Sequence, residues 1–428
     1  MLLLKGQLVM RATAASCAKG RVIVITGPTG VGKSSAAISL AKRLGGEIVS
    51  ADSVQVYKSL DVGSAKTPIS ERQNVPHHLI DIVSPTEEYS AGDYYVDARA
   101  ATDDVVARGR VPIVVGGTGL YLRWFLNGKP DTPKATAEQA AAVEAEVAAL
   151  QSGGGGWDEG VKYLAEAGDP ETAHKLARND WYRLRRSLEI LKISGRPQSS
   201  FPLPWVTAKE SSADVETDSG EPPLKPRQIP GTDGSELDYD FQCYFMYLKR
   251  VDLYRRIDQR CEEMLTDPEG LLREASWLLD LGILPNSSSP SRAIGYRQTM
   301  EYLTQCRMSG GVSTVEQFLE FLQEFQKASR NYAKRQLTWF RGEDRFRLVD
   351  ASASKDEIVE FMEQQYVNPS SSTTVSPPSE TETGLEKKLE LKALKSYVAE
   401  NRIFTNPSTC ADILRWIERT QGTAKVVI

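Results

Sequence analysis

The chain has 428 residues, enough for two or three domains, and its 40% hydrophobic and 25% charged residues are the balance of a globular fold. A net charge of -5 excludes a uniformly basic nucleic-acid coat, so any RNA contact has to come from a local patch. No window approaches the roughly 18 apolar residues of a membrane span. Five scattered cysteines (Cys17, Cys243, Cys261, Cys306, Cys410) and three histidines (His77, His78, His174) lack the spacing of a zinc site.

In chain order, residues 1–20 carry Lys5, Arg11 and Lys19 among Ser, Thr and Ala with no acidic residue. This reads either as an organelle transit peptide or as a plain extension, leaving cytoplasm, plastid and mitochondrion open as locations. An apolar run, Val22-Ile23-Val24-Ile25, then leads into Gly27-Pro28-Thr29-Gly30-Val31-Gly32-Lys33-Ser34 and a stretch with helical spacing from Ala36 to Leu44. Strand, Gly-rich loop, Lys-Ser and helix in that order form a P-loop. Glycines let successive amides turn around linked phosphates, the helix presents its positive end, and Lys33 adds a mobile cation.

Further strand candidates are Ile48–Ser50, Leu79–Val83 and Val111–Val115, separated by helix-length sequence, which predicts an α/β fold with a parallel sheet and crossover helices. Asp52 follows the second strand at the carboxyl edge that carries the P-loop, where open α/β sheets bind ligands. It reads as a proton acceptor or as a helix cap. The strand 111–115 ends in Gly116-Gly117-Thr118-Gly119 and lacks the magnesium-binding acid of an ATPase or kinase, although Asp81 ends another apolar run and keeps a kinase-like or regulatory nucleotide-binding protein open.

Residues 134–198 read as a helical insertion interrupted by four glycines, and 199–240 as a flexible linker rich in Ser, Pro, Gly and acidic residues. A strand-like run, Phe241–Leu248, precedes a second helical block. Together 21–133 and 241–345 are expected to form the P-loop core, with 346–428 a C-terminal tail containing a flexible segment, 368–383. Between Lys175 and Arg196, seven basic residues face only Asp180 and Glu189, a local balance that attracts phosphate or simply solvates a helix face. Lys334, Arg335, Trp339 and Arg341 form a second basic and aromatic cluster, suited to loop phosphates and stacked bases or, for Trp339, to core packing.

Six ordered motifs carry a resemblance. GPTGVGKS, SADSVQVY, VVGGTGLYL, the run Asn179–Glu189, Arg292-Ala293-Ile294-Gly295-Tyr296-Arg297 and Tyr332-Ala333-Lys334-Arg335-Gln336 together resemble the tRNA dimethylallyltransferase (tRNA isopentenyltransferase) family, in its bacterial-like branch found in plants, over about residues 21–345. The resemblance implies transfer of a dimethylallyl group from dimethylallyl diphosphate to N6 of adenosine 37 in tRNAs that read codons beginning with U, an indirect source of cytokinin. The P-loop then grips a diphosphate leaving group, so no hydrolytic water needs positioning, and its amides stabilise the charge that grows there.

By the same resemblance, Ser34 helps hold Mg2+ and diphosphate, Arg260 reaches the diphosphate from the helical side, and Asp52 is the general base. Thr118 joins the diphosphate and adenine sites, and Lys33 completes the catalytic set. The implied tRNA contacts are Asp52, Ser53, Val54, Gln55, Thr118, the segment Tyr182-Arg183-Leu184-Arg185-Arg186 and the segment 292–297, with the anticodon stem-loop as partner and a monomer as the expected state. The adenine has to leave its stack to enter a pocket, RNA arriving from one end and diphosphate from the other.

Two departures stand out. Tyr182 occupies a place where bacterial members usually carry Gln. The C2H2 zinc finger of some eukaryotic members has no counterpart, since Cys410 is the only tail cysteine and no histidine follows His174, so no zinc is expected. Within the same chemistry, an adenylate isopentenyltransferase acting on free AMP, ADP or ATP shares the P-loop and base but needs neither the basic block around Arg183 nor the segment 292–297.

Overall fold

A computed structural model describes residues 20–152, 155–204, 239–368 and 384–424. The transit-like residues 1–19, most of the expected linker (205–238) and nearly all of the expected segment 368–383 (369–383) lie outside the described residues. The rest falls into two compact units, one within Asn127–Asp233 and one made of the described parts of Met1–Leu126 and Gly234–Ile428.

The larger unit is built on six parallel strands in the order β3-β2-β4-β1-β5-β6. β1 (Gly20–Thr26) sits inside the sheet, and Val22 to Ile25 are fully buried, as expected for an apolar run covered on both faces. It leads through the P-loop into α1 (Lys33–Leu44), then β2 (Glu47–Ser50). β3 is only His77–His78, which corrects the strand expected over Leu79–Val83. Leu79 and Asp81 take left-handed conformations (φ 61° and 59°), which break an extended ladder, and only Val83 keeps a single bridge, to Tyr57.

α2 (Ala91–Ala107) is capped reciprocally by Ser90 and Asp93 and returns the chain to β4 (Pro112–Val115), followed by α3 (Gly119–Asn127). Buried Glu47 on β2 ties this layer together. It accepts a bidentate hydrogen bond from Arg108 at the end of α2 and another from His78 Nε2 (2.7 Å).

The smaller unit is helical: α4 (Ala137–Ser152), α5 (Gly156–Ala167), α6 (Pro170–Lys175) and α7 (Trp181–Ser194). Val143, Val147, Leu164, Ala173, Leu184 and Leu188 form its core. Trp181 packs edge-on to Trp157 (5.1 Å between centroids) and presses on Gly160, where a Cβ would meet the indole at 2.8 Å.

In the larger unit, β5 (Tyr239–Tyr247) pairs with the whole of β1 and feeds α8 (Arg250–Thr266) and α9 (Leu271–Asp280). Next come α10 (Ser289–Arg292), α11 (Tyr296–Met308) and the long α12 (Val315–Phe340). β6 (Arg347–Asp350), α13 (Lys355–Val367), α14 (Gly384–Lys395) and α15 (Ala411–Gln421) follow.

The expectation of a tail over 346–428 is therefore corrected, because β6 extends the sheet and α13 packs on α1. Residues 397–404 clasp α8: the fully buried Glu262 carboxylate accepts the amides of Arg402, Ile403 and Phe404 at 2.8–3.0 Å, and Tyr397 Oη donates to Asp258 at 2.8 Å. Beyond them, Cys410, Ile413, Trp416 and Ile417 are buried in the main core.

Candidate functional site

The P-loop leaves β1 at the carboxyl edge of the sheet. Gly27 has φ 148°, and a Cβ there would lie 2.3 Å from the Met246 carbonyl oxygen, so the turn requires glycine. Gly32 is the N-cap of α1 and offers no side-chain cap, and the amides of Gly30 to Ser34 have no partner among the described residues. They are left for an anion. Lys33 Nζ donates to the carbonyls of Gly27 (2.9 Å) and Pro28 (2.8 Å), closing the loop on itself. Burial, helped by the neighbouring Arg260 charge, lowers the Lys33 pKa to about 8, against a smaller upward pull from Asp52.

This loop lines a cavity of about 800 Å3, whose wall includes Lys33, Ser34, Gln55, Glu71, Asp52 and Arg260. Arg260 projects from α8 with no hydrogen bond or ion pair among the described residues. Desolvation lowers its pKa, and the charge of Asp52 partly offsets this. Two cations and a ring of unpartnered amides in one cavity make an anion site.

A second cavity, about 300 Å3, adjoins the first through shared wall residues Thr29, Asp52, Ser64 and Arg260. Its wall is more apolar, with Val54, Ile257, Met264, Ile294, Phe325 and Tyr332. Asp52 stands at the junction. Its Oδ1 accepts the amides of Val54 (2.9 Å) and Gln55 (3.3 Å), while Oδ2 has no partner among the described residues. The carboxylate is thus oriented by its own turn, with one oxygen available to take a proton.

Ser53 N donates to Thr118 Oγ1 (3.1 Å), and Thr118 N to Ala51 O (3.3 Å), so Thr118 is tied to the loop that carries Asp52. Gly116 is obligatory beneath it, because a Cβ would lie 2.0 Å from the Ala51 carbonyl oxygen. Asp81, the acid that kept a kinase reading open, is ion-paired with Lys66 at 2.6 Å and does not line the P-loop cavity.

The segment 292–297 divides. Arg292, Ala293 and Ile294 line the second cavity, whereas Gly295 and Tyr296 turn inward. Tyr296 Oη donates to Glu274 (2.7 Å), and the same buried carboxylate accepts the amides of Asp61, Val62 and Gly63 at 2.8–3.0 Å. Tyr296 is therefore a prop for the Gly63–Ser64 wall, which corrects its expected place as a tRNA contact. Its phenol pKa is raised by burial.

In the smaller unit the expected contact Leu184 is likewise corrected, since it is fully buried in that unit's core. Arg185 pairs with Glu144 and Glu189, and Arg186 with Glu189 (3.1 Å) and the Pro133 carbonyl (2.7 Å). Acidic residues of α4, distant in sequence, thus neutralise much of the basic run. Arg183 is exposed beside Asp180 (3.1 Å), Tyr182 is exposed against Arg185 (5.6 Å), and Arg178 is exposed with no ion pair among the described residues.

Sequence reasoning assigned no role to Glu274, Ser64, Met264 or Gln336. The spacing of Tyr332, Arg335 and Gln336 to one helical face was the available signal for the last.

An IPP transferase family model matches residues 55–343, and an isopentenyl transferase model residues 20–81. The chain belongs to the tRNA dimethylallyltransferase family. It is 50% identical over 409 residues to tRNA dimethylallyltransferase 9 of Arabidopsis thaliana, covering 94% of this chain and 87% of that protein. It is 39% identical over 341 residues to the tRNA dimethylallyltransferase of Protochlamydia amoebophila, covering 80% and 87%.

Among solved structures, a eukaryotic dimethylallyltransferase acting on tRNA aligns with TM-score 0.59 and 25% identity over 90% of this chain and 87% of that one. A tRNA isopentenylpyrophosphate transferase of Staphylococcus epidermidis aligns with TM-score 0.52 and 28% identity over 82% and 100%. The parallel sheet with its P-loop is therefore that of the tRNA dimethylallyltransferases.

Proposed function

We propose that this chain is a tRNA dimethylallyltransferase that moves a dimethylallyl group from dimethylallyl diphosphate to N6 of adenosine 37, beside the anticodon of tRNAs reading codons that begin with U. The observation that carries this reading is the position of Asp52 where a cationic, amide-lined cavity meets a more apolar one. Diphosphate fits the first and an unstacked purine the second, so the bond to be made lies near the carboxylate.

In the reaction the allylic C–O bond breaks and its electron pair leaves with pyrophosphate, whose growing charge meets the amides of 30–34, Lys33 and Arg260. The N6 lone pair forms the new C–N bond, and the N6 proton passes to Asp52 Oδ2. Lys33 turns from its loop carbonyls to the phosphates in this reading.

Mg2+ fits the oxygen donors present, because it takes one or two protein oxygens and fills its shell with phosphate and water. Ser34 lines the P-loop cavity, and no group of three metal-ligating side chains occurs among the described residues. Ser34 would hold the ion, which would neutralise diphosphate charge. The RNA partner is the anticodon stem-loop, met by the exposed Arg178 and Arg183 and by Arg292. Degraded product would release cytokinin.

The test is incubation of purified protein with labelled dimethylallyl diphosphate and either an anticodon stem-loop or AMP. Label in the stem-loop supports the reading. Label in AMP alone makes the chain an adenylate isopentenyltransferase, and binding of ATP with no dependence on the allylic donor makes it a nucleotide-binding protein of another class.

A further inference from the structure

Gln336, in the last turns of α12, reaches two loops at once. Its Oε1 accepts the Thr29 amide of the P-loop (2.8 Å), and its Nε2 donates to the Gly117 carbonyl (3.0 Å). Gln336 is 5% exposed; its bond to Gly117 is buried and its bond to Thr29 partly so, and losing either leaves an atom of its largely buried amide unpaired. The two bonds also fix the amide's orientation, since the flipped amide would set oxygen against oxygen and N–H against N–H.

A second observation agrees. A Cβ on Gly117 would lie 2.3 Å from Gln336 Nε2, so Gly117 is small because the amide occupies that space.

The bridge continues on both sides. Gly117 precedes Thr118, which accepts the Ser53 amide next to Asp52. On α12, the preceding residue Arg335 and Tyr332, one turn back, line the second cavity. A chain of short contacts therefore runs from the P-loop through Gln336, Gly117 and Thr118 to the loop of Asp52.

Taking the Thr29 amide out of the phosphate-facing set also leaves 30–34 as the amides that meet the ligand. On the reading of the site given above, we infer that Gln336 is a positioning residue. It sets the P-loop at a fixed distance from the Asp52 loop and so presents the diphosphate cradle already formed.

The bond-making atoms tolerate small errors poorly, so the expected signature falls on the donor. Gln336→Met keeps length and bulk but makes neither bond. Gly117→Ala puts a methyl group where Nε2 sits. Each variant should raise the KM for dimethylallyl diphosphate and the dissociation constant for inorganic pyrophosphate about tenfold, with the KM for an anticodon stem-loop unchanged and the melting temperature within a few degrees of wild type.

Because both variants break one bridge, the double variant should lose little more than either alone. Unchanged pyrophosphate binding in a folded Gln336→Met protein would overturn the inference. So would a rise confined to the RNA KM, which would make Gln336 an RNA contact, or full additivity with Gly117→Ala. Pyrophosphate binding, read by calorimetry, does not depend on the identity of the acceptor. Failure of wild type to label RNA would thus sink the functional reading while leaving the role of Gln336 decided by binding.

Discussion

At the scale of single residues, the site separates binding from chemistry. Asp52 is held by the amides of Val54 and Gln55 and points one free oxygen to the junction of the two cavities. Asp52→Ala should lower kcat by about two to four powers of ten while leaving the dissociation constant of the allylic donor within a few-fold of wild type, as loss of a general base does. Steady-state turnover with calorimetric titration of dimethylallyl diphosphate measures both, and normal turnover rejects the role.

Lys33→Ala and Arg260→Ala should instead weaken donor binding and lower kcat together, because ground state and transition state both carry the diphosphate charge. The P-loop and Asp52 could be read from the chain because eight contiguous residues make the loop and a strand end places the acid. The contacts of Glu274 and Gln336 could not, although the helical face shared with Tyr332 and Arg335 hinted at the second. The loop amides that Glu274 accepts lie 211–213 positions away, and the two partners of Gln336 lie 219 and 307 away, and no local pattern ties such pairs.

At the scale of elements, α7 illustrates how neighbours revise a reading made one segment at a time. Its basic residues are real, but α4 supplies Glu144 and Glu146 to Arg185 and Lys192, and only part of the run stays available to RNA. Arg183→Ala should raise the tRNA KM and reduce the slope of log affinity against log salt by about one, with donor KM unchanged. Arg185→Ala should chiefly lower the melting temperature of the helical unit.

The short strands were the harder elements to foresee. His77–His78 has two residues and follows no apolar alternation, while Arg347–Asp350 has two exposed residues of four, so neither carries the hydrophobic pattern that marked β1 and β4.

The tie between β2 and α2 gives a pH test. The Arg108 guanidinium holds the Glu47 pKa down at about 2, below its ordinary value of 4.5, so the folded state releases this proton more readily than the unfolded chain. The stabilisation is present above about pH 4.5 and is lost as pH falls towards 2. The difference in melting temperature between wild type and Glu47→Gln should therefore shrink over that range, and a constant difference would show that the ion pair is not its source.

At the scale of the whole molecule, the region matched by the IPP transferase model ends at residue 343, yet the sheet and core continue past it. Removing residues 397–424 would strip the Glu262 carboxylate of the amide donors of Arg402, Ile403 and Phe404. It would also uncover the apolar surface now met by Phe404, Ile413 and Trp416. Such a truncation should unfold at a markedly lower temperature, and Glu262→Gln should reproduce part of the loss.

Asp258 and Glu262 flank Arg260 on α8, so whatever loosens the end of the polypeptide also frees the helix that aims this guanidinium. An assay of pyrophosphate affinity is then a sensor for the far terminus: a fusion or clipping event near residue 400 should be felt first as slack in the grip on the leaving group, before any change in how RNA is held.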